Sequence, residues 1–356
     1  MRILYIGQNL GTSLHRANAL KRMGHVVTVI DPWRWLGTSK WAGRWAYHFG
    51  GLGLDTLLHQ QISQETKETS PDLIWVDQGE FLGEKSIAGL RRVGAPIVNY
   101  AVDDPFGPRD WKRFVQYRKA VPYYDLLAVV REQNVQEAYR AKARKVVRVW
   151  RSADELAHAP RSLTPDEKRK FTSDVVFVGT WMPERGPFMV ELIDRGVPLS
   201  IWGNHWEKSK EWNILKQYWR GPALNDDRSY SAAVLAAKVC LGLLSKGNRD
   251  LHTQRSLEIP ALGSLLCAER TSEHIALYHE GAEAIFWNSA EECASVCNDL
   301  LVNEQRRRNL AKAGYERAIH NNLFNEPVLA SIISMATAAT YASGTDHARK
   351  KPLSPA

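Results

Sequence analysis

The sequence is poor in cysteine and contains no long apolar segment. Four cysteines occur in 356 residues, and each lies in an apolar or helical stretch: positions 240, 267, 293 and 297. Cys293 and Cys297 share one face of a predicted helix, but no pair of histidines accompanies them as in a zinc site. We therefore expect buried free thiols in a reducing compartment, not disulfides or a metal centre. No apolar run approaches the roughly 20 residues that a membrane span requires.

The chain also lacks a recognisable targeting segment. Residues 1–7 contain no cleavage region of a secretory signal peptide, and their apolar pattern predicts a first strand. Together with reduced thiols, this predicts a cytoplasmic protein. The glycine-containing turn over 7–13 lacks the G-x-G-x-x-G spacing of dinucleotide-binding proteins, so it does not predict NAD binding. Its backbone N–H groups, at the start of a helix, still favour an anion.

Basic residues exceed acidic ones, and tryptophan is abundant. The 47 lysines and arginines against 39 aspartates and glutamates give a formal charge of +8, and there are 13 tryptophans. The charge indicates an anionic ligand or an anionic surface without distinguishing between them. Part of the charge lies in the tail over 343–356, which ends in Ser-Pro-Ala and is predicted to be disordered.

Aromatic and basic residues are interleaved over 33–49. Trp33, Trp35, Trp41 and Trp45 alternate with arginine, lysine and glycine. In such a mixture the rings lie at an apolar boundary and the cations meet phosphates. Three functions are compatible with this: a platform for an acceptor molecule, a contact with a membrane surface, or stacking on nucleic-acid bases. The alternative is a loop that packs on its own domain.

Strands and helices alternate along the chain, which predicts an α/β fold with parallel sheets. We predict a first domain over 1–150, a linker over the polar, proline-containing residues 151–172, and a second domain over 173–325. A terminal helix over 326–342 precedes the tail. In the first domain, the predicted strands are 2–6, 26–30, 73–76, 96–102, 126–130 and 145–149. In the second, a strand beginning at 174 is followed by strands at 199–202, 239–244, 264–268 and 284–287.

Two aspartates follow a predicted strand of the first domain. Asp103 and Asp104 come directly after the strand over 96–102 and before Pro105. Open α/β sheets bind ligands at the carboxyl ends of their strands, so a carboxylate here is placed to orient or deprotonate a hydroxyl group. The alternative is that these residues cap the next helix, since Asp before Pro is common at helix starts.

The segment 250–269 organises the second domain. It predicts a loop, a short helix that Thr253 caps and that ends by Gly263, and then a buried strand. Asp250 and Glu258 are eight residues apart in the sequence. This spacing, about two helical turns, can place both carboxylates along one rim.

This segment resembles the GT-B glycosyltransferases of the group-1 type. That family carries Glu, seven residues, a second Glu, and then a small-residue turn ending in glycine. Asp250 and Glu258 match the two acidic positions, and the run Arg255-Ser-Leu-Glu-Ile-Pro-Ala-Leu-Gly is most similar to the CgeB-like branch. The resemblance implies that Glu258 holds the ribose of a nucleotide sugar, with Ser256 beside it. It also implies that Asp250, one methylene shorter than the family's Glu, faces the donor sugar as a catalytic residue.

A second stretch, over 174–186, carries the same resemblance. The family begins its second domain with a strand ending Val-Gly-Arg, followed shortly by Pro-Glu-Lys-Gly. Thr180 stands where the family has arginine, and Arg185 stands where it has lysine. Because the family's basic pair binds the donor pyrophosphate, the resemblance implies that Gly179, Thr180 and Arg185 border this group. Arg255 is expected to supply the missing charge.

The resemblance extends to two loops. Gly203 and Asn204, after the strand over 199–202, are expected to border the pocket of the nucleotide base. In GT-B proteins the first loop of the chain faces the cleft between the domains, although the alternative here is a simple tight turn. The candidate acceptor-side residues in this loop and the following helix are Gly11, Thr12, Ser13 and His15.

The resemblance covers nearly all of residues 2–340 and implies two facing Rossmann-like domains, with a terminal helix that crosses back to the first. It implies transfer of a sugar from a nucleotide-diphosphate sugar to a hydroxyl of a glycan, protein or lipid-linked acceptor. No cofactor or metal is expected, since GT-B enzymes stabilise the departing diphosphate with helix dipoles and basic side chains, and the chain has no D-x-D triplet. A membrane contact through the segment 33–49 would place the protein at the inner membrane face.

Two alternatives remain open. One is a GT-B epimerase that acts on a nucleotide sugar without an acceptor, which acceptor-independent release of product would identify. The other is a non-enzymatic nucleic-acid-binding protein, suggested by the charge and the tryptophans and identified by a steep salt dependence. The second alternative leaves the match to the donor motif unexplained, so nucleic acid is not an expected partner.

Overall fold

The computed structural model describes residues 1–36, 45, 47–51 and 53–348, with the side chains at 35, 36 and 339–348 outside the description. The chain divides into two units. Unit 1 consists of Met1–Trp150 and the chain from Asn325 onward, and unit 2 consists of Arg151–Phe324. Each unit contains one six-stranded parallel sheet, which confirms the predicted α/β class.

Unit 1 alternates strands and helices from its first residue. Its strands are β1 (Arg2–Ile6), β2 (Val26–Ile30), β3 (Leu73–Asp77), β4 (Ile97–Ala101), β5 (Leu126–Val129) and β6 (Val146–Arg148). Its helices are α1 (Gly11–Arg22), α2 (Leu54–Thr69), α3 (Glu84–Leu90), α4 (Val115–Ala120), α5 (Glu132–Arg140) and the terminal helix (Asn325–Ala348). The strand order is β2-β1-β3-β4-β5-β6.

Continuous apolar runs explain why the central strands of unit 1 are covered on both faces. All five residues of β3 and of β4 are buried. One face of the sheet packs against α2, α3 and α4, and the other packs against α1 and the terminal helix. The terminal helix contributes Leu329, Ile332 and Ala336 to this second core. The predicted return of the terminal helix to the first domain is therefore confirmed.

Unit 2 repeats the same plan. Its strands are β7 (Ser173–Val178), β8 (Leu199–Trp202), β9 (Trp219–Gly221), β10 (Ala237–Gly242), β11 (Leu266–Glu269) and β12 (Ile285–Trp287). Its helices are α6 (Pro165–Phe171), α7 (Arg185–Asp194), α8 (Trp212–Leu215), α9 (Asp227–Leu235), α10 (Arg255–Ala261), α11 (Ser272–Leu277), α12 (Ala290–Val302) and α13 (Glu304–Asn321). The strand order is β12-β11-β10-β7-β8-β9.

All four cysteines are buried and free, as expected from the sequence. The sulfur atoms of Cys267, Cys293 and Cys297 lie within 4.8 Å of one another in the apolar core of unit 2. Burial raises the pKa of the Cys240 thiol to about 12, which keeps it protonated and unreactive. The Cys240 thiol therefore behaves as a small apolar side chain.

Several local predictions differ from the structure. Residues 151–172, predicted as a linker, lie within unit 2, where Arg151 is buried and Thr164 forms a capping box at the start of α6. Polarity alone did not reveal this, because the segment is held by side-chain hydrogen bonds. Thr253 does not cap α10; its N–H donates to Ser256 Oγ, and the helix starts two residues later. Gly263 ends the helix with a φ of +78°, as predicted.

The terminal helix is longer than the predicted 326–342, since it reaches Ala348. The last residues of the tail, 349–356, lie outside the described residues, as do 37–44 and 46 of the tryptophan-rich segment. The predicted disorder of the tail end and the predicted membrane contact therefore stay predictions. Among the described helices, none has the length and apolarity that crossing a bilayer would need.

Candidate functional site

Unit 2 has a cavity at the carboxyl edge of its sheet. Its volume is about 310 Å³, and it is bordered by the segments that follow β7, β10 and β12 and by the last residue of β11. Parallel sheets bind ligands at this edge, because loops and helix starts converge there. The polar or charged residues of its wall include Glu184, Arg185, Glu191, Lys246, Glu269 and Ser289.

Arg185 is a buried cation in the wall of this cavity. It starts α7 and is 7% exposed. Its Nη1 donates to the carbonyl of Thr180 at 2.6 Å, and its Nη2 donates to that of Leu244 at 2.9 Å. Among the residues that the structure describes, it forms no ion pair, and its Nε has no hydrogen-bond partner. Burial lowers the pKa of Arg185 to about 10. Such a guanidinium favours an anion with several oxygens.

The loop before Arg185 is held by backbone contacts. A Cβ on Gly203, whose φ is +153°, would lie 1.9 Å from the carbonyl oxygen of Gly179, so only glycine fits there. The N–H of Trp181 donates to the carbonyl of Asn204 at 2.9 Å, and Asn204 Oδ1 accepts from Ala223 at 2.9 Å. Gly179, Gly203 and Asn204 therefore shape the loop end beside Thr180, although none of them lines the described cavity.

Glu258 and Arg255 are brought together, but away from the cavity wall. Glu258 is 1% exposed, and its Oε2 accepts from Arg255 Nη1 at 2.5 Å. Its Oε1 lies 3.4 Å from His158 Nε2, and the Arg255 guanidinium lies 4.3 Å from the centre of the Tyr230 ring. Burial favours the neutral acid, yet Arg255 and His158 hold the pKa of Glu258 below its ordinary value. A ribose contact would require this carboxylate to exchange one of its present bonds.

Asp250 lies in a second buried network of unit 2. Its Oδ1 is 3.3 Å from Nη2 of Arg151, a residue that the sequence placed in the linker. The backbone N–H of Arg151 donates to Nε2 of His252 at 3.2 Å, and Nδ1 of His252 lies 2.5 Å from Oε2 of Glu273. Asp250 is therefore held by ion pairing within unit 2 and does not line the cavity. Its predicted catalytic role stays a prediction.

Ser256 anchors α10 through a buried histidine. Its Oγ donates to Nε2 of His274 at 2.7 Å, because Nδ1 of His274 is the donor to the carbonyl of Glu269 at 2.6 Å. The Tyr278 hydroxyl also donates to the carbonyl of Ser256 at 2.8 Å. Burial lowers the pKa of His274 to about 4, so the imidazole is neutral at neutral pH.

This neutral histidine predicts a loss of stability in acid. Below about pH 6.5 the unfolded chain takes up a proton that folded His274 binds only near pH 4. The free energy of unfolding should therefore fall by up to about 3 kcal/mol as the pH decreases from about 6.5 to 4. Urea denaturation across this range measures the slope, and His274→Gln should flatten it. Equal slopes in the two proteins would contradict the prediction.

Unit 1 has a cavity of about 260 Å³ at the carboxyl edge of its own sheet. Of the candidate acceptor-side residues, Gly11, Thr12 and Ser13 line it, whereas His15 is buried and does not. Asp103 also lines it. The polar and charged residues of this cavity that sequence reasoning missed are Gln8, Arg16, Asp77, Gln78, Glu80 and Arg113.

The charged residues of this cavity are paired with one another. Arg16 donates to both oxygens of Asp77, from Nε at 2.6 Å and from Nη2 at 2.9 Å, and both residues are buried. Arg113 donates to Glu80 at 2.9 Å and to Asp103 at 3.2 Å. Asp77 had a sequence signal of the same kind as Asp103, since it ends strand β3. Arg16 and Arg113 had no such sequence signal, because they lie on a helix and a loop and not at the end of a strand.

The structure separates the two predicted aspartates. The side chain of Asp103 is 32% exposed and faces the cavity, whereas Asp104 is buried outside it. Oδ1 of Asp104 accepts from Asn134 Nδ2 at 2.9 Å and from the N–H of Phe106 at 3.3 Å. These bonds hold the turn after β4, so that of the two aspartates Asp103 is the one that lines the cavity. Asp104 is therefore held within the turn, and its predicted catalytic role stays a prediction.

Comparisons with known proteins agree with this architecture. Residues 185–326 match a family model described as glycosyl transferase-like. A search of curated proteins finds no matching relative. HepE of Anabaena in complex with UDP-glucose is 14% identical with a TM-score of 0.64, covering 95% of this chain and 100% of that one.

Two further solved structures are similar over the same extent. The sucrose-phosphate synthase of Thermosynechococcus elongatus is 13% identical with a TM-score of 0.64, covering 96% of this chain and 100% of that one. The trehalose-6-phosphate synthase OtsA is 12% identical with a TM-score of 0.63, covering 95% and 99%. These likenesses establish the GT-B fold. The family match places a glycosyl transferase-like segment, residues 185–326, within this fold. The CgeB-like branch stays a prediction.

Proposed function

We propose that this protein transfers a sugar from a nucleoside-diphosphate sugar, bound by unit 2, to a hydroxyl group of an acceptor bound by unit 1. The observation that carries the proposal is Arg185, a buried guanidinium with no carboxylate partner among the described residues, in the wall of a cavity at the carboxyl edge of the sheet. A diphosphate supplies the anionic oxygens that this group lacks. Arg185 is the first residue of the family-matched segment.

The known neighbours support the class of donor. HepE has been crystallised with UDP and with UDP-glucose, so a uridine nucleotide is the first donor to test. In the proposed reaction the acceptor oxygen forms a bond to the anomeric carbon as the bond from that carbon to the diphosphate breaks. Asp103 is the proposed acceptor of the hydroxyl proton. Arg185, Lys246 and the start of α7 neutralise the departing diphosphate, and we propose that no metal is needed.

A thermal-shift panel of nucleoside diphosphates and their sugars tests the donor assignment. A ligand at 100 times its dissociation constant should stabilise the folded protein by about 2.7 kcal/mol. We expect UDP and UDP-sugars to raise the midpoint of thermal unfolding, and we expect each increase to be the same with and without EDTA. A panel in which no nucleotide changes the midpoint would overturn the proposal, and dependence on a divalent cation would overturn its metal-free form. The epimerase alternative has no support from the comparisons, and acceptor-dependent release of UDP would exclude it.

The ribose role of Glu258 has its own test. If its carboxylate accepts both ribose hydroxyls, Glu258→Gln should weaken UDP binding by about tenfold, the effect of one charge-assisted hydrogen bond. The sharper comparison uses 2′,3′-dideoxy-UDP. Calorimetry should show that the parent protein prefers UDP over the dideoxy analogue and that the variant does so much less. If both proteins discriminate by the same factor, Glu258 serves only to hold Arg255.

A further inference from the structure

The cavity of unit 1 indicates what kind of acceptor it takes, an inference that rests on the proposed function. We propose that it binds a neutral, polyhydroxylated sugar without phosphate or carboxylate groups. We further propose that the side-chain amide of Gln78 donates a hydrogen bond to a hydroxyl of that sugar. Three independent features of the cavity lead to this: its charge balance, its unmet hydrogen-bond donors and its aromatic wall.

The charge balance of the cavity disfavours an anionic acceptor. Its described wall contains two guanidiniums, Arg16 and Arg113, against three carboxylates, Asp77, Glu80 and Asp103. Each guanidinium is already paired with at least one of these carboxylates at 2.6 to 3.2 Å. A phosphate or carboxylate entering the cavity would meet no unpaired cation among these described side chains and an excess of carboxylates, and this charge balance opposes the preference for an anion that the sequence predicted at the start of α1. A neutral hydroxyl group avoids this repulsion and can donate to the carboxylates.

Gln78 offers a side-chain amide donor from which no described residue accepts a hydrogen bond. It is held with a φ of +62°, which is unusual for a residue other than glycine. Its Oε1 accepts from the N–H groups of Val102 and Asp103, both at 3.0 Å, and these two bonds settle which end of the amide is oxygen. Its Nε2 is buried and has no partner within the described structure. Strain and an unmet buried donor at a cavity wall together indicate a ligand contact.

Arg113 adds a second unmet donor, since its Nε is buried and also lacks a partner in the described part of the chain. Donors from Gln78 and Arg113 stand beside carboxylate acceptors from Glu80 and Asp103. A sugar hydroxyl both donates and accepts, so neighbouring hydroxyls can satisfy both kinds of group at once. An apolar ligand would leave these donors unpaired, and sites of this kind strongly reject ligands that lack the hydroxyl.

An aromatic wall completes the cavity. Trp33 is half-buried and lines the cavity. The rings of Phe81 and Trp33 pack in an edge-to-face arrangement, with their centroids 4.6 Å apart. This contact fixes the orientation of the indole. A rigid aromatic surface beside a few placed polar groups suits the C–H face of a sugar ring, with its hydroxyls turned to the polar side.

A glycan array probed with the intact protein and saturating UDP tests the class of acceptor. The array should present neutral oligosaccharides and matched forms that carry a phosphate or a uronic acid. We expect binding to the neutral members and at least tenfold weaker binding to their charged counterparts. A preference for the charged forms would overturn the proposal, and so would the absence of any binding. Calorimetry with UDP, run on the same sample, tests the donor site separately. Failure of the donor assignment can therefore be distinguished from failure of the acceptor assignment.

Variants at Gln78 test the contact. Gln78→Glu keeps an oxygen for the N–H groups of Val102 and Asp103 but removes the amide donor. We expect about tenfold weaker binding to the array-selected glycan with unchanged UDP affinity. Gln64→Glu adds the same charge to α2, outside the cavity, and should bind the glycan like the parent. If Gln78→Glu binds as the parent does, the proposed contact is wrong.

A second variant guards against a folding defect in the first. Trp33→Leu retains an apolar side chain at this position but removes the flat ring. It should weaken glycan binding while leaving UDP binding close to that of the parent, and the thermal midpoint shows whether the variant is folded. Glycan binding that survives in a folded Trp33→Leu protein would overturn the assignment of the aromatic wall.

Discussion

Replacing Arg185 with alanine should weaken UDP binding by about tenfold to a hundredfold, because charge-assisted hydrogen bonds to a diphosphate contribute about 1.5–3 kcal/mol. Arg185 has no carboxylate partner in the described structure, so its charge is available to a ligand. Isothermal titration of UDP measures the effect. Arg185→Lys should recover part of the affinity, since it restores the charge without the planar fork.

The controls separate this effect from a loss of folding. Arg185 also bonds to the carbonyls of Thr180 and Leu244, so its removal costs some stability, and the thermal midpoint must be recorded alongside the titration. Arg169→Ala, on α6 of the same unit in an exposed pair with Asp166, is the matched variant and should bind UDP normally. If folded Arg185→Ala binds UDP as tightly as the parent, the diphosphate lies elsewhere.

Replacing Asp77 with alanine should destabilise unit 1 by about 3–5 kcal/mol, because it leaves the buried Arg16 guanidinium without its partner. Both oxygens of Asp77 accept from Arg16, and both side chains are at most 4% exposed. Although burial opposes the charge, Asp77 keeps the pKa of Arg16 above its ordinary value. Urea denaturation, monitored by a spectroscopic probe within unit 1, measures the change. The probe must lie in this unit because the two units can unfold in separate transitions.

Two further variants define what the pair contributes. The double variant Arg16→Met with Asp77→Leu removes both charges together and should recover most of the lost stability, because no unpaired charge remains buried. Asp72→Ala breaks the exposed pair with Arg2 and should leave the stability nearly unchanged. A single Asp77 variant as stable as the parent would show that Arg16 finds another partner or reaches water.

The elements of the fold were predictable where the local pattern is strong. The run Leu-Ile-Trp-Val over 73–76 and the run over 96–102 predicted central strands, and the structure buries β3 and β4 completely. The turn chemistry at Gly263 predicted the end of α10. Weak patterns were missed. β9 has three residues, one of them glycine, and α6 lies in a polar segment whose capping box depends on the reciprocal bonds of Thr164 and Glu167.

The candidate sites were predictable only in part. Arg185 was identified because a motif surrounds it, and Asp103 because it follows a strand. Gln78 and Arg113 carried no signal, since their role depends on a backbone conformation and on partners from other elements. The sequence also placed Glu258 at the donor, whereas the structure shows its carboxylate engaged with Arg255 and near His158.

The sequence by itself determined the α/β class, the parallel sheets and the segments where ligand groups collect, because periodicity, turn residues and strand ends are local properties that neighbouring residues dictate. Only the tertiary structure decided which charges are free and which are paired. Arg16 donates to Asp77 across 61 positions of the sequence, and Arg185 donates to the carbonyl of Leu244 across 59. A chain with 47 basic and 39 acidic residues permits many such pairings. Which of them form depends on how helices and strands pack against one another, and the local sequence pattern does not specify this packing.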